Sequence, residues 1–377
     1  MSIYLKTGIL FLFAFLVACG EPRVAPDIFS LPTTYHVGKK PSAIIAEDMN
    51  DDGYPDLLVT NSGDDTLNYL EGLGDGTFKS SVTMATGREP MAMVVADFDG
   101  DGINDVAIAN YGDGNVSIVL GQKGGIFRMK SAVKVGRLPI AIASGDFNND
   151  EIQDLAVTLR FDKLVILLGI GDGGFKVAEA YKASGTPASL VVGDYNGDKN
   201  ADIAMAFNAA KMKYIRVFMG NGDGTFQDPV KFPGGHQSAF IMQHDMNKDG
   251  HMDLITSSTF TDTLTLFLGD GKGSFQVMQD FAGEKGPQFL VADDFIGGPH
   301  QDIAVVNRRG NSLSIIEGRG DGSFVFPHFN YPIGRSPRAM VGADFNHDGL
   351  KDLAILLYDS QLLEVFQRKF ATPIDEE

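Results

Sequence analysis

The nine residues 97–105 read DFDGDGIND and recur, with substitutions, seven times along the chain. The copies begin at residues 48, 97, 146, 194, 245, 294 and 344, which gives spacings of 49, 49, 48, 51, 49 and 50 residues. A unit of this length at a nearly fixed period is a supersecondary unit that buries its surface by stacking on its neighbours, not a separate domain. The fold is therefore that of a repeat protein.

Each unit contains four short apolar segments in the same order. A G-x-x-P turn precedes an apolar run such as residues 41–46, the acidic stretch follows, and a second run such as residues 57–59 comes directly after it. Continuous apolar runs of this length are typical of strands that are covered on both faces. A polar turn, an alternating run such as residues 67–70, and a glycine-rich turn ending in phenylalanine complete the unit before its last strand.

Four strands per unit and seven units predict an all-β fold, a seven-bladed β-propeller of four-stranded blades. The chain has no tryptophan, which excludes WD40 repeats, and kelch repeats have the right period but do not explain the acidic stretches. Residues 29–41 match the fourth-strand segment of other units, whereas the seventh unit stops near Phe366 without a full copy. We therefore expect the amino-terminal strand to complete the last blade, which removes an exposed sheet edge.

The acidic stretches have the chemistry of a hard-cation site. The pattern D-x-[DN]-x-D-G-x-x-D places side-chain oxygens at positions 1, 3, 5 and 9, a main-chain carbonyl at position 7 and glycine at position 6 for a sharp turn. This number of oxygen ligands suits Ca²⁺ better than Mg²⁺. The single cysteine and the absence of Cys/His spacing leave no zinc motif. The alternative is a set of metal-free Asx turns, but three or four acidic groups in one turn would then repel one another.

The units differ in how well they match this pattern. Units 1, 2, 5 and 7 match it fully, whereas Glu151 and Lys199 replace the glycine in units 3 and 4. Unit 6 has Ile296 and Gly298 at ligand positions, so we expect it to be empty and predict about six calcium sites. The predicted ligands are Asp48, Asn50, Asp52, Tyr54 and Asp56; Asp97, Asp99, Asp101, Ile103 and Asp105; Asp146, Asn148, Asp150, Ile152 and Asp154; Asp194, Asn196, Asp198, Asn200 and Asp202; Asp245, Asn247, Asp249, His251 and Asp253; and Asp344, Asn346, Asp348, Leu350 and Asp352.

With these stretches and with glycine-rich turns such as GLGDGTF at residues 72–78, the chain resembles the FG-GAP or VCBS repeat family over about residues 29–370. A well-known relative is the seven-bladed propeller of integrin α subunits. The resemblance implies calcium in the loop between the first two strands of a blade, with a mostly structural role. It also implies that ligands bind on the opposite face.

The amino-terminal sequence predicts a secretion signal and a lipid anchor. Lys6 followed by the apolar residues 9–17 is typical of a signal peptide and is too short to span a bilayer. Residues 16–19 (LVAC) resemble a bacterial lipobox, which would make Cys19 the lipidated first residue of the mature chain; the alternative is an ordinary signal with a chance cysteine. The predicted divisions are a lipoprotein signal peptide at 1–18, a tether at 19–28, one propeller domain at 29–370 and a tail at 371–377. In bacterial lipoproteins, aspartate directly after the lipidated cysteine retains the protein at the inner membrane. Gly20 stands there instead, so we expect a cell-envelope protein that lies at the outer membrane if the host is Gram-negative. The lipid would be its sole attachment to the membrane.

The net charge of −18 argues against nucleic acid as a partner, because phosphate binding needs clustered basic residues. Basic and aromatic residues instead collect in the turns predicted to lie opposite the acidic stretches, which is our candidate surface for a protein or an anionic glycan. Solvated turn residues that balance an acidic protein are the alternative explanation. The candidate residues are Lys39, Lys40, Arg88, Arg137, Arg160, Phe161, Phe260, Arg308, Arg309, Arg335 and Arg338. Residues 319–321 spell Arg-Gly-Asp, but they belong to a recurring glycine-rich turn, so we expect no adhesive role for them.

The function predicted from these features is a calcium-stabilised, lipid-anchored binding or adhesion scaffold that is not an enzyme. The alternative is a polysaccharide lyase or hydrolase acting on anionic glycans. Catalytic residues would need an irregular insertion, yet the spacing of the units varies by only three residues. The seven histidines form no HExxH motif and accompany no nucleophile elbow, so no catalytic residue is proposed.

Overall fold

The computed structural model describes residues 25–369, and these form 28 β-strands and no helix. The strands associate into seven antiparallel sheets of four strands each. This confirms the all-β, seven-bladed β-propeller that the repeat predicts. The predicted signal peptide, Cys19 and the tail at 371–377 lie outside the described residues.

The strands follow the repeat in strict order. Blade 1 contains β2 (Pro41–Glu47), β3 (Asp56–Asn61), β4 (Thr66–Leu70) and β5 (Val82–Ala85), and blade 2 contains β6 (Pro90–Ala96), β7 (Asp105–Asn110), β8 (Asn115–Gln122) and β9 (Ile126–Lys134). Blade 3 contains β10 (Pro139–Gly145), β11 (Asp154–Leu159), β12 (Lys163–Gly169) and β13 (Phe175–Lys182), and blade 4 contains β14 (Pro187–Gly193), β15 (Asp202–Phe207), β16 (Lys213–Phe218) and β17 (Val230–His236). Blade 5 contains β18 (Phe240–His244), β19 (Asp253–Ser258), β20 (Thr263–Gly269) and β21 (Phe275–Ala282), and blade 6 contains β22 (Pro287–Asp293), β23 (Asp302–Asn307), β24 (Ser312–Ile316) and β25 (Phe329–Pro332). Blade 7 contains β26 (Pro337–Ala343), β27 (Asp352–Leu357), β28 (Leu362–Phe366) and β1 (Thr33–His36).

The first strand of every blade lies at the axis of the ring. Each of these innermost strands packs against the innermost strands of both neighbouring blades, and the circle closes where β26 meets β2. The second strand of every blade is buried along its whole length, as the continuous apolar runs predict. Fourth strands such as β13 are largely exposed and form the outer rim.

The amino-terminal strand closes the ring. β1 pairs antiparallel with β28, with Thr33 opposite Val365 and His36 opposite Leu362, so the predicted completion of blade 7 is confirmed. Ile28, at the end of the predicted tether, is buried in the core between blades 6 and 7, and its carbonyl accepts a hydrogen bond from the Lys369 amide. The packed part of the chain therefore begins before Phe29.

The glycine-rich turns differ in where the last strand starts. In blades 2, 3 and 5 the fourth strand begins at or next to the phenylalanine, as predicted. In blades 1, 4 and 6 the phenylalanine makes only an isolated bridge, such as Gly72 with Phe78, and the strand begins later. The apolar core lies between blades, since single clusters combine residues of adjacent units, for example Val116 of blade 2 with Val157 of blade 3.

Candidate metal loops and candidate binding face

The acidic stretches form the loops between the first and second strands of the blades. We call them acidic loops 1 to 7; they comprise residues 48–56, 97–105, 146–154, 194–202, 245–253, 294–302 and 344–352. They share one face of the ring with the glycine-rich turns between third and fourth strands, because the Gly224 amide of one such turn donates to the Phe147 carbonyl of acidic loop 3 at 2.8 Å. This face is called the acidic face.

Main-chain amides fold each loop around its first aspartate. In acidic loop 2, Oδ1 of Asp97 accepts the Gly100 amide at 2.7 Å and Oδ2 accepts the Gly102 amide at 2.8 Å. Oδ1 of Asp101 accepts the Ile103 amide at 2.8 Å in the same way. A carboxylate has about four lone-pair sites, so oxygens that accept one N–H each still have capacity for a cation.

Position 9 holds a buried aspartate in all seven loops, and its role is one that sequence reasoning missed. In acidic loop 2, Oδ2 of Asp105 accepts the Phe98 amide at 2.9 Å and Oδ1 accepts the Gly121 amide at 2.8 Å, which joins the loop to the end of the third strand. The corresponding aspartates make the same pair of bonds in every blade, including Asp302 in blade 6, whose loop lacks the side-chain ligands at positions 3 and 5. The recurrence of aspartate in the incomplete sixth loop is the signal that could have revealed this clamp.

Burial raises the pKa of these aspartates against the opposing effect of the amide bonds. The pKa rises to about 6 for Asp56, Asp105, Asp154, Asp202, Asp253 and Asp352. The pKa of Asp302 is raised as well, again chiefly by burial. The neighbouring aspartates of each loop contribute further, since negative charges close together disfavour ionisation.

Acidic loop 2 differs from the other predicted metal loops in the residue at position 3. In loops 1, 3, 4, 5 and 7 this residue is an asparagine whose Nδ2 donates to the aspartate at position 5 at 2.8 to 3.1 Å. Acidic loop 2 has Asp99 there, and the carboxylate oxygens of Asp97, Asp99 and Asp105 lie within 4.8 Å of one another. Burial and the charge of Asp101 raise the pKa of Asp99. The donor set of acidic loop 2 therefore fits a cation well, because three carboxylates converge there and none of them forms an ion pair with a basic side chain within residues 25–369.

The two loops without glycine adopt the same backbone conformation as the rest. Glu151 and Lys199 have φ values of 66° and 70°, close to the 82° of Gly102. A left-handed conformation costs a residue with a Cβ roughly 1–2 kcal/mol. Acidic loops 3 and 4 thus keep the turn at the expense of local strain. In acidic loop 6, Asp294 still accepts the Gly297 amide, but Ile296 and Gly298 supply no side-chain oxygen.

The turns that connect blades and the loops between second and third strands share the other face, called the opposite face. The Arg160 amide donates to the Leu138 carbonyl and the Tyr358 amide to the Ser336 carbonyl, each at 3.0 Å across these two kinds of turn. The predicted arrangement of the turns is therefore correct, except that Arg338 lies within the innermost strand β26 rather than in a turn.

A cavity of about 810 Å³ lies on the propeller axis at the opposite face. Residues from the innermost strands of all seven blades line it, and no acidic-loop residue does. Four of the predicted binding residues meet here: Lys40, Arg160, Phe260 and Arg338. The aromatic residues Tyr111, Tyr358, Phe240 and Phe289 also line the cavity and were not selected from sequence. Tyr111 and Tyr358 directly follow their second strands, as Arg160 does, and that shared position was the available signal.

The remaining candidate residues are dispersed around the opposite face. Arg88 pairs with Asp113 at 2.7 Å, and Arg309 pairs with Asp262. The Arg137 guanidinium carbon lies 6.0 Å from the centroid of the Phe161 ring, and that of Arg308 lies 5.6 Å from the Tyr358 ring. Lys39 and Arg335 are exposed. These residues form a ring of separate contacts rather than one patch.

The Arg-Gly-Asp tripeptide lies in the glycine-rich turn of blade 6, on the acidic face. Oδ1 of Asp321 accepts hydrogen bonds from the Ser323 amide at 2.8 Å and from the Ser323 hydroxyl at 2.6 Å. Thr77 and Thr225 make the same bonds to Asp75 and Asp223 in blades 1 and 4. The tripeptide therefore has the structural role of its counterparts.

Comparison with protein families gives a match along the repeats. A model described as an FG-GAP-like repeat matches residues 48–108, 97–157, 146–205 and 294–355, each match running from one acidic loop through the next. No curated protein sequence matches the chain. Within residues 25–369 there is no helix of the length and apolarity that crossing a membrane requires.

Several solved structures have the same fold at low sequence identity. BBS1N, in a crystal structure of its complex with ARL6DN, has a TM-score of 0.66 and 10% identity, with 93% of this chain and 99% of that chain covered. Virginiamycin B lyase from Staphylococcus aureus has a TM-score of 0.61 and 13% identity, with 90% and 99% covered. A protein from Lactobacillus plantarum has a TM-score of 0.60 and 16% identity, with 84% and 88% covered.

Proposed function

Since this chain belongs to the FG-GAP-like repeat family, we propose that it is a calcium-stabilised, lipid-anchored propeller that acts as a binding or adhesion scaffold in a bacterial cell envelope. Its partner is a protein or an anionic glycan, and its role is not catalytic. A structural neighbour of the same fold is in complex with another protein, which supports a binding role.

The observation that carries this proposal is the composition of the opposite face. Phe161 and Phe260 are 60% and 63% exposed there, more than any other aromatic side chain among residues 25–369. Arg137 lies close to the Phe161 ring, and Phe260 lines the same cavity as Arg160 and Arg338. Exposed aromatic side chains and arginines are the residues enriched at protein interfaces and at their hot spots.

The test is capture of a partner by the soluble form that starts after Cys19. A double Phe161→Ala, Phe260→Ala variant is expected to lose the proteins or glycans that the unmodified form retains. Ile170 on the acidic face is also 60% exposed, so Ile170→Ala is the matched control and should retain them. Equal capture by all three forms would contradict a binding role for the opposite face.

Calcium is proposed at acidic loops 1 to 5 and 7, with acidic loop 2 as the strongest site. The oxygens of Asp97, Asp99, Asp101 and Asp105 with the Ile103 carbonyl would hold the ion, which would neutralise their mutual repulsion. With extracellular-type dissociation constants of about 0.1–1 mM, millimolar calcium would add about 0.4–1.4 kcal/mol per site by mass action. Six such sites together would add several kcal/mol.

Thermal unfolding with calcium and with chelator tests this proposal. We expect a markedly lower Tm in chelator. The variant Asp99→Asn gives acidic loop 2 the side-chain amide that loops 1, 3, 4, 5 and 7 have at this position. Because it removes one of the converging negative charges, it should raise the Tm in chelator and reduce the increase in Tm on adding calcium. A Tm that is the same with calcium and with chelator would contradict the proposal.

Lipid anchoring is proposed on the sequence around Cys19 alone. Mass spectrometry of the membrane-extracted protein should find the lipid on Cys19, and Cys19→Ser should release the protein into the soluble fraction. A Cys19→Ser protein that stays with the membrane would count against the anchor.

The alternative function is a polysaccharide lyase or hydrolase acting on anionic glycans. Its support is that one structural neighbour is a lyase, a likeness that concerns the fold. Release of new chain ends from an anionic polysaccharide incubated with the purified protein would establish this alternative instead.

A further inference from the structure

One cationic side chain faces the central cavity from an innermost strand. Arg338 is the second residue of β26, and it lines the cavity. The residues at the same place in the other six blades carry no charge; they are Ser42, Met91, Ile140, Ala188, Ala239 and Gln288. A charge at this level of the axis is therefore specific to blade 7.

Arg338 has no anionic partner in the described part of the chain. Its side chain makes no hydrogen bond or ion pair within residues 25–369, whereas Arg88 and Arg309 on the same face are both paired with aspartates. Burial and the nearby charge of Arg308 lower the pKa of Arg338. Glu89, the acidic residue that lines the cavity, is exposed at the start of blade 2 and forms no ion pair with Arg338.

Arg308 belongs to the same cluster. Its guanidinium carbon lies 5.6 Å from the centroid of the Tyr358 ring, and Tyr358 also lines the cavity. Arg308 does not itself line the cavity, but its charge acts on Arg338 and the Tyr358 ring that it contacts is part of the lining, so the two guanidinium groups lie close together at one side of the mouth. Neither forms an ion pair within residues 25–369. Such an arrangement is unfavourable in the free protein, because a partly buried cation needs a partner and like charges repel. An anion that contacts both groups would relieve this.

The inner wall of the cavity has a different chemistry. Ile44, Met93, Ile142 and Leu190 face it from the innermost strands, and Phe289 lies against Phe240 with ring centroids 3.8 Å apart. The volume of about 810 Å³ falls in the range of about 300–1,000 Å³ that is usual for small-molecule pockets. Apolar walls and a cationic mouth together suit a ligand with one anionic end.

We propose that the central cavity binds an amphipathic carboxylate, with the carboxylate held by Arg338 and Arg308 and the apolar body packed against the inner wall. The planar fork of a guanidinium matches the two oxygens of a carboxylate. This site goes beyond the scaffold role proposed above and does not depend on it, since binding of a small carboxylate to the purified protein is measured without any protein or glycan partner.

Isothermal titration calorimetry with octanoate on the soluble protein tests the proposal. Octanoate is expected to bind, and octanamide, which has the same body without the charge, is expected to bind at least about tenfold more weakly, as the loss of a charge-assisted hydrogen bond predicts. Arg338→Gln should weaken octanoate binding by about 10- to 100-fold. The matched control is Arg128→Gln, which removes an exposed arginine of the outer strand β9 that does not line the cavity and should leave the affinity unchanged.

A second readout separates binding from a structural role. Because Arg338→Gln removes an unpaired charge, its Tm should equal or exceed that of the unmodified protein. If its Tm falls instead, octanoate binding is measured with Arg308→Gln. The proposal requires this variant to bind octanoate more weakly as well, and full affinity would contradict it. The proposal would be overturned if octanoate did not bind or if octanamide bound equally well. It would also be overturned if glucuronate, whose body is polar, bound more tightly than octanoate, or if Arg338→Gln kept full affinity for octanoate.

Discussion

The aspartate at position 9 of each acidic loop has two roles, as an acceptor of main-chain hydrogen bonds and as a predicted cation ligand. Asp105 is buried and accepts hydrogen bonds from two main-chain amides, and its carboxylate also lies within 4.8 Å of those of Asp97 and Asp99. The pattern D-x-[DN]-x-D-G-x-x-D identifies it as a ligand but not as a clamp, because the pattern does not show which distant amide it meets. Burial raises its pKa, so the charge that a cation would need is costly without one.

The pH dependence of stability should therefore reverse with calcium. Six of these aspartates have folded pKa values of about 6, above the usual 3.8, so the metal-free folded state binds more protons than the unfolded state between about pH 4 and 6. By linkage, stability in chelator should fall as pH rises through this window. With calcium bound, protonation competes with the metal, so stability should fall as pH decreases.

Thermal melts at pH 7.5 and pH 5 in chelator and in millimolar calcium measure this reversal. Asp253→Asn removes one of the titrating groups and should flatten the slope in chelator. Parallel curves under the two conditions would show that these carboxylates do not bind the ion.

The glycine-rich turn is the element that joins one blade to the next. Its phenylalanine packs edge to face on the second residue of the acidic loop in the preceding blade, as Phe226 of blade 4 does on Phe147 of blade 3, with centroids 5.4 Å apart. The Gly224 amide donates to the Phe147 carbonyl beside it. The same pair of contacts recurs at the junctions of blades 7 and 1, 2 and 3, and 4 and 5. The turn thus carries tertiary contacts as well as the connection between two strands.

Removing one such phenylalanine should weaken the whole ring. Phe226 is buried against Phe147 and Tyr181, so Phe226→Ala is expected to lower the free energy of unfolding by about 3–5 kcal/mol. Phe161→Ala, which removes an exposed phenylalanine, should change it by less than about 0.5 kcal/mol. Denaturant unfolding measures both, and an equal loss in the two variants would contradict the role given to the turn.

The whole molecule has a closed ring and two faces of different chemistry. Closure depends on β1, because β28 would otherwise be an unpaired edge, and on Tyr35, whose hydroxyl accepts the Phe78 amide of blade 1 at 3.0 Å. The acidic face carries the loops, whereas the opposite face carries the cavity, the arginines and the exposed aromatic residues. The innermost strands, which contact one another around the whole ring, connect the two faces.

Loss of the amino-terminal strand should open this ring. A variant that starts at Gly38 lacks β1, Ile28 and Phe29, so it should unfold at a lower temperature and form larger species through the exposed edge of β28. A variant that starts at Ala25 keeps all of these and is the control. Size-exclusion chromatography and thermal unfolding measure the effect; a monomeric variant with unchanged Tm would mean that closure does not stabilise the propeller.

The sequence by itself determined the number of blades, the order of strands, the closure by a segment within residues 29–41 and the positions of the acidic loops. These follow from local pattern, since a nearly constant period and alternating apolar runs specify hydrogen bonding within a unit whatever the other units contain. Only the tertiary structure decided that Arg338 faces the axis with no anionic partner among residues 25–369, and that Arg88 and Arg309 are paired with aspartates. The physical reason is that the cavity brings together seven strands separated by about fifty residues each, and a local pattern does not contain the charge and packing of residues that meet only at the axis.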